Sequence, residues 1–280
     1  MEFRVITKEK DKIFIQSEYF DPTAICTCGQ VFRYKNIGDE WIVHSKDKKA
    51  IISPFNSGYL IQGDSEYFYD YFDLSTDYGR IAESVKDKPL VSDALTFGKG
   101  IRILKQDPFE TIIEFIISAN NQIPRIKGII ERICSSSGND MGDFYSFPTV
   151  EKMASMEKGE YTKLGCGYRD EYISKTSRAI ADGKFDLSLP YRQDTETAKK
   201  YLMTLSGVGP KVADCILLFA YQKYDVFPVD TWIKKLYFML FPNEPPKTAP
   251  EKMRKDLLSI YGQYSGIAQQ YLFYSLRSKK

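Results

Sequence analysis

The sequence contains a single histidine, His44, among 280 residues. That scarcity excludes most chemistry built on imidazole, including Ser-His-Asp triads, histidine metal sites and histidine proton shuttles. Cysteines are few and odd in number, at positions 26, 28, 134, 166 and 215. Cys26 and Cys28 form a C-x-C pair rather than the C-x-x-C of redox and zinc motifs, so all five read as reduced thiols and no metal site is expected. Long apolar runs are missing as well. Stretches such as Cys215 to Ala220 fall far short of the ~20 residues that a membrane span requires. The opening MEFRVITKEKDK is too charged for a secretory signal, which points to an intracellular protein without a membrane partner. With imidazole gone, any catalysis must come from Lys, Asp, Glu, Cys or Tyr.

What is present is ordinary globular composition, 43% hydrophobic and 27% charged, in a chain long enough for about two domains. The net charge of +2 by itself implies no nucleic-acid partner. Its distribution says more: residues 1–100 carry 13 Lys and Arg against 16 Asp and Glu, whereas residues 101–280 carry 26 against 21. A basic second part suits a polyanion on one side of the molecule, although solvated surface would give the same asymmetry.

The hydrophobic period divides the chain in the same place. Short β-rich runs open near Phe32, Trp41, Ile51 and Tyr59, with turn chemistry at Ile37-Gly38-Asp39 and Asn56-Ser57-Gly58, so residues 1–104 read as an antiparallel meander. At Asp107-Pro108-Phe109-Glu110 a cap, a first-turn proline and a Glu three residues after the cap announce a helix. Further helix starts stand at Pro124, Pro148-Thr149, Tyr168, Asp194, Pro210, Asp230, Pro250 and Gly266. The fold class is α+β, with an antiparallel sheet domain over 1–104 and a multi-helix region over 105–280.

The most informative segment is LSGVGPKVADC, residues 205–215. Two helical patterns meet there across a turn short enough only for a tight hairpin, at about 195–222, and Gly207 and Gly209 allow positive φ and close approach of another backbone. The free amides at the start of the second helix would receive a phosphate at Gly207-Val208-Gly209 without reading sequence. A plain helix-turn-helix corner would look the same. Lys211 tips the balance, because a lysine in the first helical turn sits against the positive end of the helix dipole. A lysine amine is a nucleophile able to attack a sugar C1′ and form a Schiff base. Asp230, in VFPVDTW, opens another helix as a good N-cap, and a functional carboxylate is compatible with that role.

LSGVGPKVADC followed by VFPVDTW resembles the helix-hairpin-helix and Gly/Pro...Asp motif of the DNA glycosylase superfamily. CGQVFRY (28–34), QDPFETIIEFIISANNQIPRI (106–126), LGCGYRDEYI (164–173) and GIAQQYLF (266–273) are similar to the 8-oxoguanine DNA glycosylase branch and follow its order along nearly the whole chain. The resemblance implies a bifunctional glycosylase/AP lyase without a cofactor, acting as a monomer on double-stranded DNA that contains 8-oxoguanine, and the absence of a basic localisation cluster points to a prokaryotic cytoplasm. Branches with an iron-sulfur cluster carry four cysteines after the hairpin, and none follows Cys215 here.

The resemblance also implies roles for single residues. Lys211 would be the nucleophile and Asp230 its assistant. A base must leave the duplex to be reached, so Tyr168 would be the wedge, while Asn120, Arg125 and Arg169 would contact the orphaned base, whose cytosine edge suits an amide and arginine donors. Gly29 would offer its carbonyl to N7–H of oxidised guanine, a proton that guanine lacks. Phe273 and Cys215 would sandwich the base and Gln269 would read its pairing edge; by periodicity alone Phe273 and Cys215 read as core. The sequence departs from the family pattern at Trp232, where eukaryotic members have a histidine, and in Phe273-Tyr274-Ser275-Leu276, where an acidic residue is missing. Three other readings compete. An alkylation-repair glycosylase would use Asp230 with water, a pyrimidine-lesion lyase would keep Lys211 with another pocket, and a non-enzymatic hairpin module would use only the Gly207-Val208-Gly209 backbone.

Overall fold

The computed structural model describes residues 4–278. Six strands, β1 (Arg4–Glu9), β2 (Lys12–Ser17), β3 (Tyr34–Ile37), β4 (Glu40–Ser45), β5 (Lys48–Phe55) and β6 (Gly58–Gln62), form one antiparallel sheet in the order β1-β2-β6-β5-β4-β3. The meander expected from the spacing of apolar runs is β3 to β6. Its turns contain Gly38 (φ 60°) and Asn56 (φ 50°), residue types that tolerate the left-handed region. The run that opens at Phe32 enters the sheet only at Tyr34, because Phe32 turns inward and packs edge-on against Phe115 at 5.6 Å.

The first 104 residues are not sheet alone. They add the β1–β2 hairpin and four helices, α1 (Pro22–Thr27), α2 (Ser65–Tyr71), α3 (Tyr78–Val85) and α4 (Val91–Phe97). Each has six to eight residues, about two turns, too few for a 3.6-residue period to stand out. The other helices are α5 (Pro108–Ser118), α6 (Ile123–Ser137), α7 (Val150–Ser155), α8 (Lys158–Lys163), α9 (Asp170–Ala181), α10 (Leu189–Arg192), α11 (Thr195–Leu202), α12 (Pro210–Tyr221), α13 (Thr231–Leu240), α14 (Pro250–Tyr261) and α15 (Ser265–Ser278). Most starts lie at the predicted caps: the side chains of Asp107, Thr149, Asp194 and Asp230 all accept amide protons from the first turns of their helices. The short α8 and α10 were not foreseen.

Two apolar cores result. Alternate residues Ile13, Ile15, Val43, Ala50, Ile52 and Ile61 of the sheet bury against Ile25, Phe68, Tyr71 and Phe72 of α1, α2 and the residue after it. The larger core centres on α5 and α12, and Val85, Val91 and Ala94 from α3 and the start of α4 join it. Polar residues buried between these cores fix the loop that begins with Gly29. Gln30 Nε2 donates to the carbonyl of Arg102 (2.8 Å) while its Oε1 accepts from the amide of Leu104 (2.9 Å). Arg102, fully buried, donates to the carbonyls of Tyr19, Phe72, Asp73 and Thr76. Arg33 pairs with Glu110 at 2.9 Å, whose other oxygen takes the amide of Lys46 at 2.8 Å. Glu110 therefore does not close a capping box on Asp107; Arg33 draws it into the interface with the sheet. No helix among the described residues is long and apolar enough to cross a membrane.

Candidate active site

The hairpin is α11, the turn 203–209 and α12. Gly207 adopts φ 84°, and a Cβ there would come within 2.7 Å of the Tyr172 side chain on α9, so only glycine fits. Gly209 does not share that constraint. It is extended at φ −89°, caps α12, and a Cβ on it would meet open space. Val208 buries its side chain, and Thr176 Oγ1 holds the turn through the carbonyl of Ser206 at 2.9 Å. The turn is thus pinned on its protein side and open where the free amides of α12 begin, the arrangement of an anion site.

Lys211 lies one residue into α12, with its Nζ 5.6 Å from the centre of the Phe115 ring. One turn later Cys215 is buried; burial pushes its thiol up, and Lys211 beside it pulls in the other direction. Asp230 caps α13 through one carboxylate oxygen, Oδ1, which accepts from the amides of Trp232 (2.9 Å) and Ile233 (2.8 Å). Burial raises its pKa above the ordinary carboxylate value, against the amide of Ile233 and the charge of Lys211.

These residues share one pocket, whose space of about 310 Å³ includes its open mouth. Its lining includes Lys211, Asp230, Gly29, Cys215, Gln269 and Phe273, the six residues assigned from sequence to catalysis and the base pocket, joined by Phe115, Phe219, Pro228 and Gln270. Gly29 has φ 89°. Phe273, which periodicity alone would bury, is only half-buried. Gln269 is 4% exposed, and its buried Oε1 has no hydrogen-bond partner among the described residues, an acceptor available to a ligand. His44 stacks on Phe144 at 4.4 Å, and burial, aided by Arg33, lowers its pKa to about 4. All five cysteines are free and buried.

Residues 12–112 match the N-terminal domain of 8-oxoguanine DNA glycosylase, and residues 113–263 match the HhH-GPD superfamily of base excision DNA repair proteins. The chain belongs to the HhH-GPD superfamily, in its 8-oxoguanine glycosylase branch. It is 33% identical over 228 residues to a probable N-glycosylase/DNA lyase of Methanothermobacter thermautotrophicus, covering 72% of this chain and 71% of that protein. An N-glycosylase/DNA lyase of Arabidopsis thaliana is 35% identical over 202 residues, 67% of this chain but only 55% of the plant protein; this chain thus spans little more than half of that relative. The 8-oxoguanine glycosylase/lyase of Clostridium acetobutylicum, solved with duplex DNA containing cytosine opposite 8-oxoguanine, superposes with a TM-score of 0.92 at 36% identity, over 100% of this chain and 99% of that one.

In this HhH-GPD protein the residues assigned to the opposite base form a second group. Asn120 follows α5 in a left-handed conformation (φ 50°) and is exposed. Arg169, only 3% exposed, donates to the carbonyls of Ala119 and Asn120, while Tyr168, 59% exposed, lies under its guanidinium at 4.4 Å. Arg125 is exposed in the first turn of α6. The two departures from the family pattern also have a place. Trp232 stands in the first turn of α13 beneath Lys235, whose Nζ is 4.5 Å from its ring. Beyond Leu276, where the acid is missing, comes Arg277, over the Phe273 ring at 5.0 Å. Sequence reasoning missed the pocket residues Phe115, Phe219, Pro228 and Gln270, although the quoted motifs contain Phe115 and Gln270 and VFPVDTW contains Pro228.

Proposed function

We propose that this protein excises 8-oxoguanine from duplex DNA and then cleaves the strand. The observation that carries the reading is one pocket holding an amine, a carboxylate, a positive-φ glycine and an unpartnered buried amide. The Lys211 amine attacks C1′ of the extruded nucleotide as the N-glycosidic bond breaks and the base departs. The departing base takes a proton from the nitrogen now bound to C1′; the aminal that remains opens at its C1′–O4′ bond, with O4′ protonated by water, to give the iminium form of the Schiff base, and loss of a C2′ proton to water then expels the 3′ phosphate by β-elimination. Asp230 stabilises the positive charge that develops on the sugar. The Gly29 carbonyl accepts N7–H of the oxidised base, whereas it would repel the lone pair on N7 of guanine. Phe273 stacks, Gln269 reads the pairing edge, and the amides at Gly207 and Gly209 hold a backbone phosphate, whereas the Val208 amide, expected from the sequence to join them, is engaged by the Leu205 carbonyl at 3.2 Å.

The curated relatives named as N-glycosylase/DNA lyases and the Clostridium complex support this reading. We also assign the protein to a prokaryotic cytoplasm, where it acts as a monomer; sedimentation with and without a lesion duplex tests the stoichiometry. The activity is tested with a panel of duplexes carrying 8-oxoguanine, an alkylated purine or an oxidised pyrimidine, with borohydride added to reduce the imine. Cleavage and a covalent adduct on 8-oxoguanine support the proposal. Adducts only on oxidised pyrimidines, or base release without any adduct, would replace it with another lesion specificity or a water-dependent mechanism.

A further inference from the structure

The Gly29 carbonyl can separate an N–H from a lone pair only if it cannot back away from the repulsive partner. Its downstream side is anchored by Gln30 on the 102–104 segment. Upstream, the anchors come from α15. Gln270 Nε2 donates to the carbonyl of Cys28 at 2.7 Å, Tyr274 OH lies 3.2 Å from Thr27 Oγ1, and Arg277 Nη2 donates to the carbonyl of Thr27. The helix that carries Gln269 and Phe273 thus also holds the glycine opposite them.

Arg277 connects this anchor to the aromatic wall of the pocket. Its guanidinium covers the Phe273 ring at 5.0 Å and the Tyr274 ring at 5.9 Å. Its Nη1 is so close to Gly29 that a Cβ there would come within 2.9 Å, and that nitrogen is buried without a hydrogen-bond partner. An uncompensated buried N–H is costly to keep, and a packing role alone could be filled by an apolar side chain. We propose that Arg277 is a positioning residue for lesion recognition: from behind the pocket wall it holds the Gly29 carbonyl and the Phe273 ring in the register that admits an oxidised purine and rejects guanine. This rests on the function proposed above, and it concerns seating of the base rather than the chemistry at the sugar.

That distinction sets the test. An abasic site has no base to seat, so its cleavage needs Lys211 but not the Gly29–Phe273 register. In the full-length protein, Arg277→Met should slow single-turnover excision of 8-oxoguanine opposite cytosine by about tenfold or more, while strand cleavage at a preformed abasic site stays within about twofold of wild type. Arg277→Lys, which retains a donor for the Thr27 carbonyl, should recover part of the loss. Equal loss of both activities would mean that Arg277 merely supports the fold, and unchanged excision would mean that the tie is idle; either overturns the proposal. Wild-type protein that cleaves abasic sites but leaves 8-oxoguanine untouched would instead sink the lesion assignment itself, and the positioning role with it.

Discussion

In the base pocket, Gly29 is anchored on both flanks and Asp230 is fixed by two amides, whereas among the residues assigned to the wedge and the opposite base, Tyr168, Asn120 and Arg125 stand in solvent. Arg169 is the exception, buried and spent on two backbone carbonyls. On the function proposed above, the difference follows the tasks. A pocket that must reject guanine for want of one proton needs walls that do not yield, since an acceptor able to relax away from a lone pair discriminates nothing. Residues that meet a duplex only after it has been opened gain from adaptable side chains and order on contact, with Arg169 fixing the turn from which Asn120 works.

The largest effect should come from the rigid side. Lys211→Gln keeps side-chain length and the hairpin backbone, so lesion DNA should still bind, while excision and borohydride trapping fall by at least about a thousandfold. Undiminished trapping in this variant would take the lysine out of the mechanism. The adaptable side should lose selectivity rather than activity. Arg125→Ala should relax the preference for cytosine by about 1 to 3 kcal/mol, the value of one good base contact, at unchanged melting temperature. Arg169→Ala should lower both, because truncation also strips the Ala119 and Asn120 carbonyls of their donor. Identical behaviour of the two arginine variants in opposite-base panels and thermal melts would erase the distinction.

How much of this was legible depends on the range of the interactions. Helix starts were readable because their signals are local: Asp107, Thr149, Asp194 and Asp230 each cap amides two or three residues away. The pocket was readable only through the family resemblance, since its walls come from the 29 turn, α5, α12, the 228–230 segment and α15, and no periodicity reports such convergence. Illegible altogether were the buried polar residues that aim it. Nothing local marks Gln30 as a partner for 102–104, or Glu110 as a partner for Arg33 rather than for its own cap. The four helices inside the first 104 residues were hidden for a different reason, their shortness beside a sheet whose alternation dominates the pattern.

An effect of the same size as that of Arg125, but on lesion binding and not on opposite-base selectivity, is expected at Phe273. A half-buried pocket wall differs from a core phenylalanine in having one face free until a base arrives. Phe273→Ala should therefore weaken lesion binding by about 1 to 3 kcal/mol, the range for base stacking on an aromatic ring, and should cost less stability than the ~3 to 5 kcal/mol typical of a core phenylalanine. Calorimetric unfolding beside equilibrium binding separates the two. A stability loss in the core range with normal lesion affinity would return Phe273 to the core and leave the pocket without its stacking face.

The smallest difference concerns pH and separates the two regions without mutation. Burial raises the Asp230 pKa, so on acidification the carboxylate takes up its proton earlier than an ordinary aspartate, and a neutral carboxyl no longer stabilises a positive sugar. Single-turnover excision should decline through an acid limb that lies above the ordinary aspartate range, falling about tenfold per pH unit beyond it if only the ionised form reacts. Acid unfolding through this residue is not the cause. A carboxyl whose folded pKa lies above its unfolded one holds its proton more tightly when folded, so its contribution to stability is complete at low pH and declines as pH rises through the folded value. Opposite-base preference should not change over the same interval, because Asp230 belongs to the base pocket and not to the residues assigned to the opposite base. Asp230→Asn, which preserves an oxygen for the Trp232 and Ile233 amides, should be slow and should lose this limb. A limb of unchanged position in Asp230→Asn would place the titration on another group, and a cytosine preference that falls with the excision rate would show that the two regions do not work independently.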